Sequence, residues 1–154
     1  MSISTRRVTV DDLDVVAPLF DAYRRFYDQP ADLPRAYAFL RERMQLDQSL
    51  VLVAEHDGTA VGFTQLYFMF SSVRTAPIWI LNDLYVVDTA RRCGVARQLL
   101  DAAAAAARAA GAARIMLETG RGNGPARALY RDTGWGEDDS QWYSLSLADH
   151  QAFD

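Results

Sequence analysis

The chain has 154 residues, half of them hydrophobic and 23% charged, with 16 basic against 20 acidic side chains and a net charge of −4. That is the composition of one globular domain rather than a disordered chain, and its acidic balance disfavours a nucleic-acid binder, whose affinity rests on neutralising phosphates. All 16 basic residues are arginine, so Schiff-base chemistry, pyridoxal-phosphate anchoring and a P-loop lysine are excluded. The one cysteine, Cys93, leaves no intrachain disulfide, and with two histidines no metal site is expected. No apolar run reaches membrane-spanning length and no apolar core follows Arg6 and Arg7, so the expectation is a cytoplasmic protein without membrane or nucleic-acid partners.

In chain order, Leu13, Val16, Ala17, Phe20, Tyr23 and Tyr27 recur at helical steps, predicting a helix capped by Asp11 and stopped by Gln29-Pro30. A second helix starts near Asp32, with Pro34 in its first turn and Ala36, Phe39, Leu40 and Met44 facing inward. Leu50–Glu55, the turn residues Asp57-Gly58 and Ala60–Phe70 read as an antiparallel hairpin, and Pro77–Val87 as a third long strand. Gly94 opens a small-residue helix through Ala110, closed by Gly111; its alanine block is strong helix former, not low complexity. Arg114–Thr119 is a short strand, Asn123–Thr133 a helix capped by Asn123 and ended by Gly134, and Trp142–Leu147 a last strand. The order βααβββαβαβ predicts an α/β (α+β) fold, a central mixed sheet flanked by helices on both faces, in a single domain over residues 1–154.

Chemistry concentrates at Arg91-Arg92-Cys93-Gly94-Val95-Ala96, between a strand and a helix. A helix N-terminus offers unpaired N–H groups and partial positive charge to phosphate. Gly94 lets the backbone approach a diphosphate, Arg97 adds to the charge of Arg91 and Arg92, and eight of the arginines fall between Arg91 and Arg131. A Rossmann fingerprint fails because Ala96 and Leu99 stand where glycines are needed.

Arg91–Ala96 resembles the Gln/Arg-x-x-Gly-x-Gly/Ala loop of the GNAT family of N-acetyltransferases. The likeness extends back through Leu81–Val87 and forward through Asn123–Trp135, three ordered motifs over about 55 residues. Tyr23–Gln29, Gly62–Ser72, Trp79–Val86 and Trp142-Tyr143 are similar to the diamine/thialysine and yeast histone/polyamine acetyltransferase branch. The resemblance implies direct transfer of acetyl from acetyl-CoA to a primary amine of a polyamine, diamine or amino acid, by a homodimer. A protein lysine or N-terminus as acceptor, and a non-catalytic acyl-CoA-binding module, remain the alternatives.

By the same resemblance Tyr130 is the general acid, and the backbone of Leu84, Tyr85 and Val86 is where the family strand bulges and splays to hold the pantetheine arm. Arg91, Arg92, Cys93, Gly94, Val95, Ala96, Arg97, Asn123, Ala126 and Arg131 complete the cofactor side, with Asn123 open to a second reading as helix cap. The branch has a glutamate where this chain has Asn82, which accepts no proton. Asp83 is its neighbour and the first candidate base, Glu118 the second, although adjacent strand residues face opposite ways. Tyr27, Phe68, Asn82, Asp83 and Glu118 are the acceptor-side candidates, within an aromatic set that also holds Tyr23, Phe26, Phe70 and Trp79 and reads equally as core. Glu137-Asp138-Asp139 reads as a solvated acidic loop, and His56 and His150 carry no role.

Overall fold

Strands with apolar side chains on both faces demand cover on both sides of their sheet. In the computed structural model, which describes residues 2–147, β2 (Ser49–His56) sends Leu50, Leu52 and Ala54 to one side and Val51 and Val53 to the other. Antiparallel β1 (Ile3–Arg7), β2, β3 (Thr59–Ser71) and β4 (Ala76–Val86) lie side by side in chain order. β5 (Arg114–Met116) joins β4 in parallel, completing a mixed five-stranded sheet.

The parallel pair is connected through α3 (Val95–Ala109), whose Val95, Leu99, Leu100, Ala103 and Ala107 pack on Leu66, Trp79 and Leu81. Alanine at the buried positions brings this helix close to the sheet. α1 (Leu13–Phe26) and α2 (Leu33–Gln45) cover the other face, packing Val16, Ala17, Phe20, Ala36 and Leu40 on Val51, Val53 and Phe63. Asp32 caps α2 by accepting from Arg35 N at 3.1 Å, as its side chain predicts. Asp57 and Gly58 both have positive φ, 51° and 83°, the backbone of a tight hairpin turn. α4 (Gly124–Asp132) is capped by Asn123 and lies across the end of β5. Among the described residues no helix is long and apolar enough to cross a membrane.

Four local expectations are corrected. Asp11 does not cap α1: the residue at that position is Asp12, which makes no capping side-chain bond there, and a 3-10 turn, Val10–Asp12, precedes Leu13 with Thr9 as its cap, Thr9 Oγ1 accepting from Asp11 N and Thr9 N donating to Asp12 Oδ2 at 2.9 Å. Phe39 is not buried in the core but 38% exposed. β5 stops at Met116, three residues short of Thr119. Trp142–Leu147 joins no strand: Trp142, Tyr143, Leu145 and Leu147 are 70, 90, 84 and 90% exposed. Alternation reports a segment able to sit half-buried on a sheet, not the presence of a neighbour to receive it, and β5 presents an edge of only three residues. His150 lies outside the described residues.

Gly62 lies at a close approach between the central sheet and α3. A Cβ there would lie 2.8 Å from Tyr85 O, 3.2 Å from Val95 Cγ1 and 3.3 Å from Leu99 Cδ1. Gly62→Ala is therefore expected to destabilise the fold by about 1–3 kcal/mol through overpacking, read as a lower urea midpoint with unchanged slope; an unchanged midpoint would show that β4 yields freely.

Candidate active site

Gln65 pairs with Asp83 and Leu66 with Leu81, leaving Asn82 as an extra residue on β4. The bulge thus sits at Asn82, before the Leu84–Val86 stretch where it was expected. It changes which way the strand faces: Trp79 and Leu81 pack on the α3 side, whereas Asp83 and Tyr85 turn toward α1. The pairing of β4 with β5 covers only Ile78–Ile80. Beyond it the two strands part, and an open cleft of about 1600 Å³ lies between Leu81–Val86 on one bank and Leu117–Gly120 on the other. The splay expected of Leu84–Val86 is present.

Asp83 is only 2% exposed, an unusual place for a carboxylate. Gln65 Nε2 donates to its Oδ2 at 2.6 Å and Asn82 Nδ2 to its Oδ1 at 2.8 Å. Asn82, unable to take a proton, instead holds the neighbouring carboxylate that can. Burial pushes the Asp83 pKa up, opposed by the hydrogen bonds from Gln65, Asn82 and Tyr23. Gln65 Oε1 is buried without a hydrogen-bond partner, so the cluster holds one spare acceptor.

Phenols surround this carboxylate. Tyr23 Oη donates to the Asn82 carbonyl at 3.4 Å. Burial first, and the Asp83 charge second, raise the pKa values of both Tyr23 and Tyr67. Tyr130, on α4, also lines the cleft; burial and then the nearby Tyr27 raise its pKa. It keeps its proton at neutral pH, as an acid must. Its ring centroid is 6.2 Å from that of Trp135.

The Arg91–Gly94 turn forms the rim, with Arg92 at φ 64° and Gly94 at φ 79°. Gly94 is the N-cap of α3 and brings no capping side chain, so the first N–H groups of the helix face outward unclaimed. Arg91 is already occupied: Nε donates to Val86 O at 3.0 Å, Nη1 lies 2.6 Å from Asp88 Oδ1, and the guanidinium stands 5.6 Å from the Phe26 ring centroid. Arg92 and Arg97 line the cleft with no ion-pair partner among the described residues.

Of the predicted residues, the cleft gathers Tyr27, Asn82, Asp83, Leu84, Tyr85, Val86, Arg91, Arg92, Gly94, Val95, Ala96, Arg97, Glu118, Asn123, Ala126 and Tyr130. Asn123 Oδ1 accepts from Ala126 N at 3.3 Å, so it caps α4 and lines the cleft at once. Phe68, Cys93 and Arg131 are not on its wall. Phe68 packs against Trp79 with the rings tilted at 48° and their centroids 4.8 Å apart, on the α3 side. Cys93 is exposed, its Sγ 3.6 Å from Arg91 O. Asp138 of the acidic loop is engaged by Arg114. Sequence reasoning missed Gln65, Tyr67, Phe39, Arg24 and Arg35. Counting by twos along β3 from the buried Phe63 finds Gln65 and Tyr67 and rejects Phe68.

Residues 16–135 match the Acetyltransferase (GNAT) family. The chain is 45% identical over 136 residues, 88% of its length and 91% of the other's, to the uncharacterized N-acetyltransferase YhfO of Bacillus subtilis (strain 168). This chain belongs to the GNAT family. A crystal structure of a probable acetyltransferase superposes with a TM-score of 0.89 at 37% identity, over 97% of this chain and 99% of that one. The aminoglycoside N-acetyltransferase AAC(6')-Iy, solved with CoA, shares the fold at a TM-score of 0.81 and 19% identity, over 96% of each chain. The protein is thus a GNAT-type N-acetyltransferase.

In this GNAT enzyme the raised pKa makes Asp83 a stability liability when ionised. Its protonated form is favoured in the fold, so the contribution of Asp83 to stability falls as pH rises from the unfolded value near 3.9 to the raised folded value, and levels off above it. Asp83→Asn removes that fall, and a turn of the Gln65 amide lets Oε1 accept from the new amide. The stability of Asp83→Asn minus that of wild type is expected to grow with pH across this window and then stay constant, as measured by urea unfolding from pH 3 to 8. A difference independent of pH would mean that Asp83 has no raised pKa.

Proposed function

We propose that the cleft binds acetyl-CoA and that the protein moves its acetyl group to a primary amine of a small molecule. The observation that carries this reading is the meeting, in one cleft, of a buried carboxylate, Asp83, with a protonated phenol, Tyr130. The uncapped first turn of α3 and the unpaired Arg92 and Arg97 fit a diphosphate. The freed ladder groups of Leu84–Val86 fit an amide-bearing arm, and Asn123 and Ala126 form the facing wall. When bound, the thioester supplies an activated acetyl group. Asp83 takes the proton of the acceptor ammonium at Oδ1 or Oδ2, directly or through water, and Tyr130 Oη releases a proton toward the departing sulfur. Glu118 is exposed on the opposite bank; lacking the burial of Asp83, it serves as an attractor for the incoming cation. The exposed rings of Phe26 and Tyr27 at the mouth support capture of a cation.

A peptide lysine or N-terminus is the second reading, favoured by the openness of that mouth. Thiol release from acetyl-CoA decides between them: turnover on free amines is expected, and turnover on peptides alone would overturn the small-molecule reading. Tyr130→Phe is expected to lower kcat by about 10²–10⁴-fold with little change in acetyl-CoA affinity; an unchanged kcat would remove the acid role.

A homodimer and a cytoplasmic location belong to the same reading. The exposed Trp142, Tyr143, Leu145 and Leu147 form the apolar surface on which a second copy would seat, and the free, exposed Cys93 suits a reducing compartment. Sedimentation is expected to show a dimer that Leu145→Ser with Leu147→Ser weakens; a monomeric wild type would refute it.

A further inference from the structure

Arg24 lines the cleft, yet the chemistry above gives it no task. Its Nη1 is shut off from solvent and has no hydrogen-bond partner among the described residues. A guanidinium stays charged at any working pH, and a shielded donor left idle is costly, so such groups in native proteins call for an explanation. Among the described residues no carboxylate pairs with Arg24. Asp21 lies 3.5 Å from Arg25 Nε and accepts from Asp32 N at 2.9 Å, and Asp32 caps α2. Arg35, from α2, lines the same cleft. The cleft is therefore divided by charge. Its carboxylates, Asp83 and Glu118, come from β4 and the segment after β5, whereas α1 and α2 contribute only Arg24 and Arg35. Tyr23, the residue before Arg24, ties the end of α1 to the bulge through its bond to Asn82 O, holding the two halves in register.

We propose that Arg24, with Arg35, forms an oxyanion subsite, and that the acceptor is an amine carrying a carboxylate or similar acid group. This rests on the small-amine reading above and narrows it. An ammonium placed at Asp83 leaves the acid end of the same molecule to the guanidinium, which binds a carboxylate through two parallel hydrogen bonds. A polyamine offers these arginines only like charge.

The test measures thiol release from acetyl-CoA on matched acceptors: an α-amino acid, its decarboxylated amine and the corresponding aminoalkylphosphonate. At least a tenfold higher kcat/KM is expected for an acid-bearing member, the carboxylate and phosphonate arms showing which acid group fits. Arg24→Gln should bring the ratio to about one, through KM rather than kcat. A preference for the plain amine, or a rise in the KM of acetyl-CoA instead of the acceptor, would overturn the subsite. Silence on every acceptor would defeat the small-amine reading, so a second measurement stands apart from turnover. Calorimetry on the CoA-loaded protein compares an N-acetyl amino acid with the N-acetyl form of its decarboxylated amine. Tighter binding of the acid, lost in Arg24→Gln, sustains the subsite; equal binding refutes it.

Discussion

One extra residue in one strand governs the site. Had β4 paired with β3 in unbroken register, its odd-numbered residues from Trp79 to Tyr85 would share a face, and Asp83 would point into the apolar layer beneath α3. The bulge at Asn82 turns Asp83 and Tyr85 toward α1, where Tyr23 and Gln65 await them. A bulge also increases the local twist, and β4 loses β5 at this level. Aiming the carboxylate and opening the cleft are therefore one structural event.

Burying a carboxylate beside two phenols, Tyr23 and Tyr67, and two amides, Gln65 and Asn82, is costly in stability, and the fold recovers only part of that cost through hydrogen bonds. What it gains is a carboxylate of raised proton affinity. The same burial acts in the same direction on Tyr130, but with a different chemical result: a carboxyl becomes a better base and a phenol a more persistent acid. Burial thus raises the proton affinity of both groups that face the cleft.

Sequence pattern located the four α-helices and strands β2 to β5 of the described residues, because their apolar residues report the neighbours they pack on. It failed where structure depends on something other than the pattern itself. Trp142–Leu147 has the alternation of a strand, but β5 has no length of edge to pair with it. Phe68 was grouped with the acceptor side by residue type, although alternation from Phe63 would have favoured Tyr67. The catalytic candidates were legible from the motif resemblance, yet the pairing of Asn82 with Asp83 was not. A bulge leaves no mark in hydrophobic pattern when the residue it inserts is polar.

Arg91 shows how a motif residue can be right in place and different in use. Its guanidinium already contacts Asp88 and the Val86 carbonyl, so part of its donor set is engaged within the loop. Its position over Phe26 and 6.0 Å from the Tyr85 ring centroid does something else. The phosphate-facing turn, the end of β4 and the last turn of α1 are fastened together by one planar cation. α1 also bears Tyr23 and Arg24, so one planar cation links the loop before α3 to a helix that lines the same cleft. A guanidinium strut of this kind supplies a contact beside a cleft whose strands no longer pair with each other.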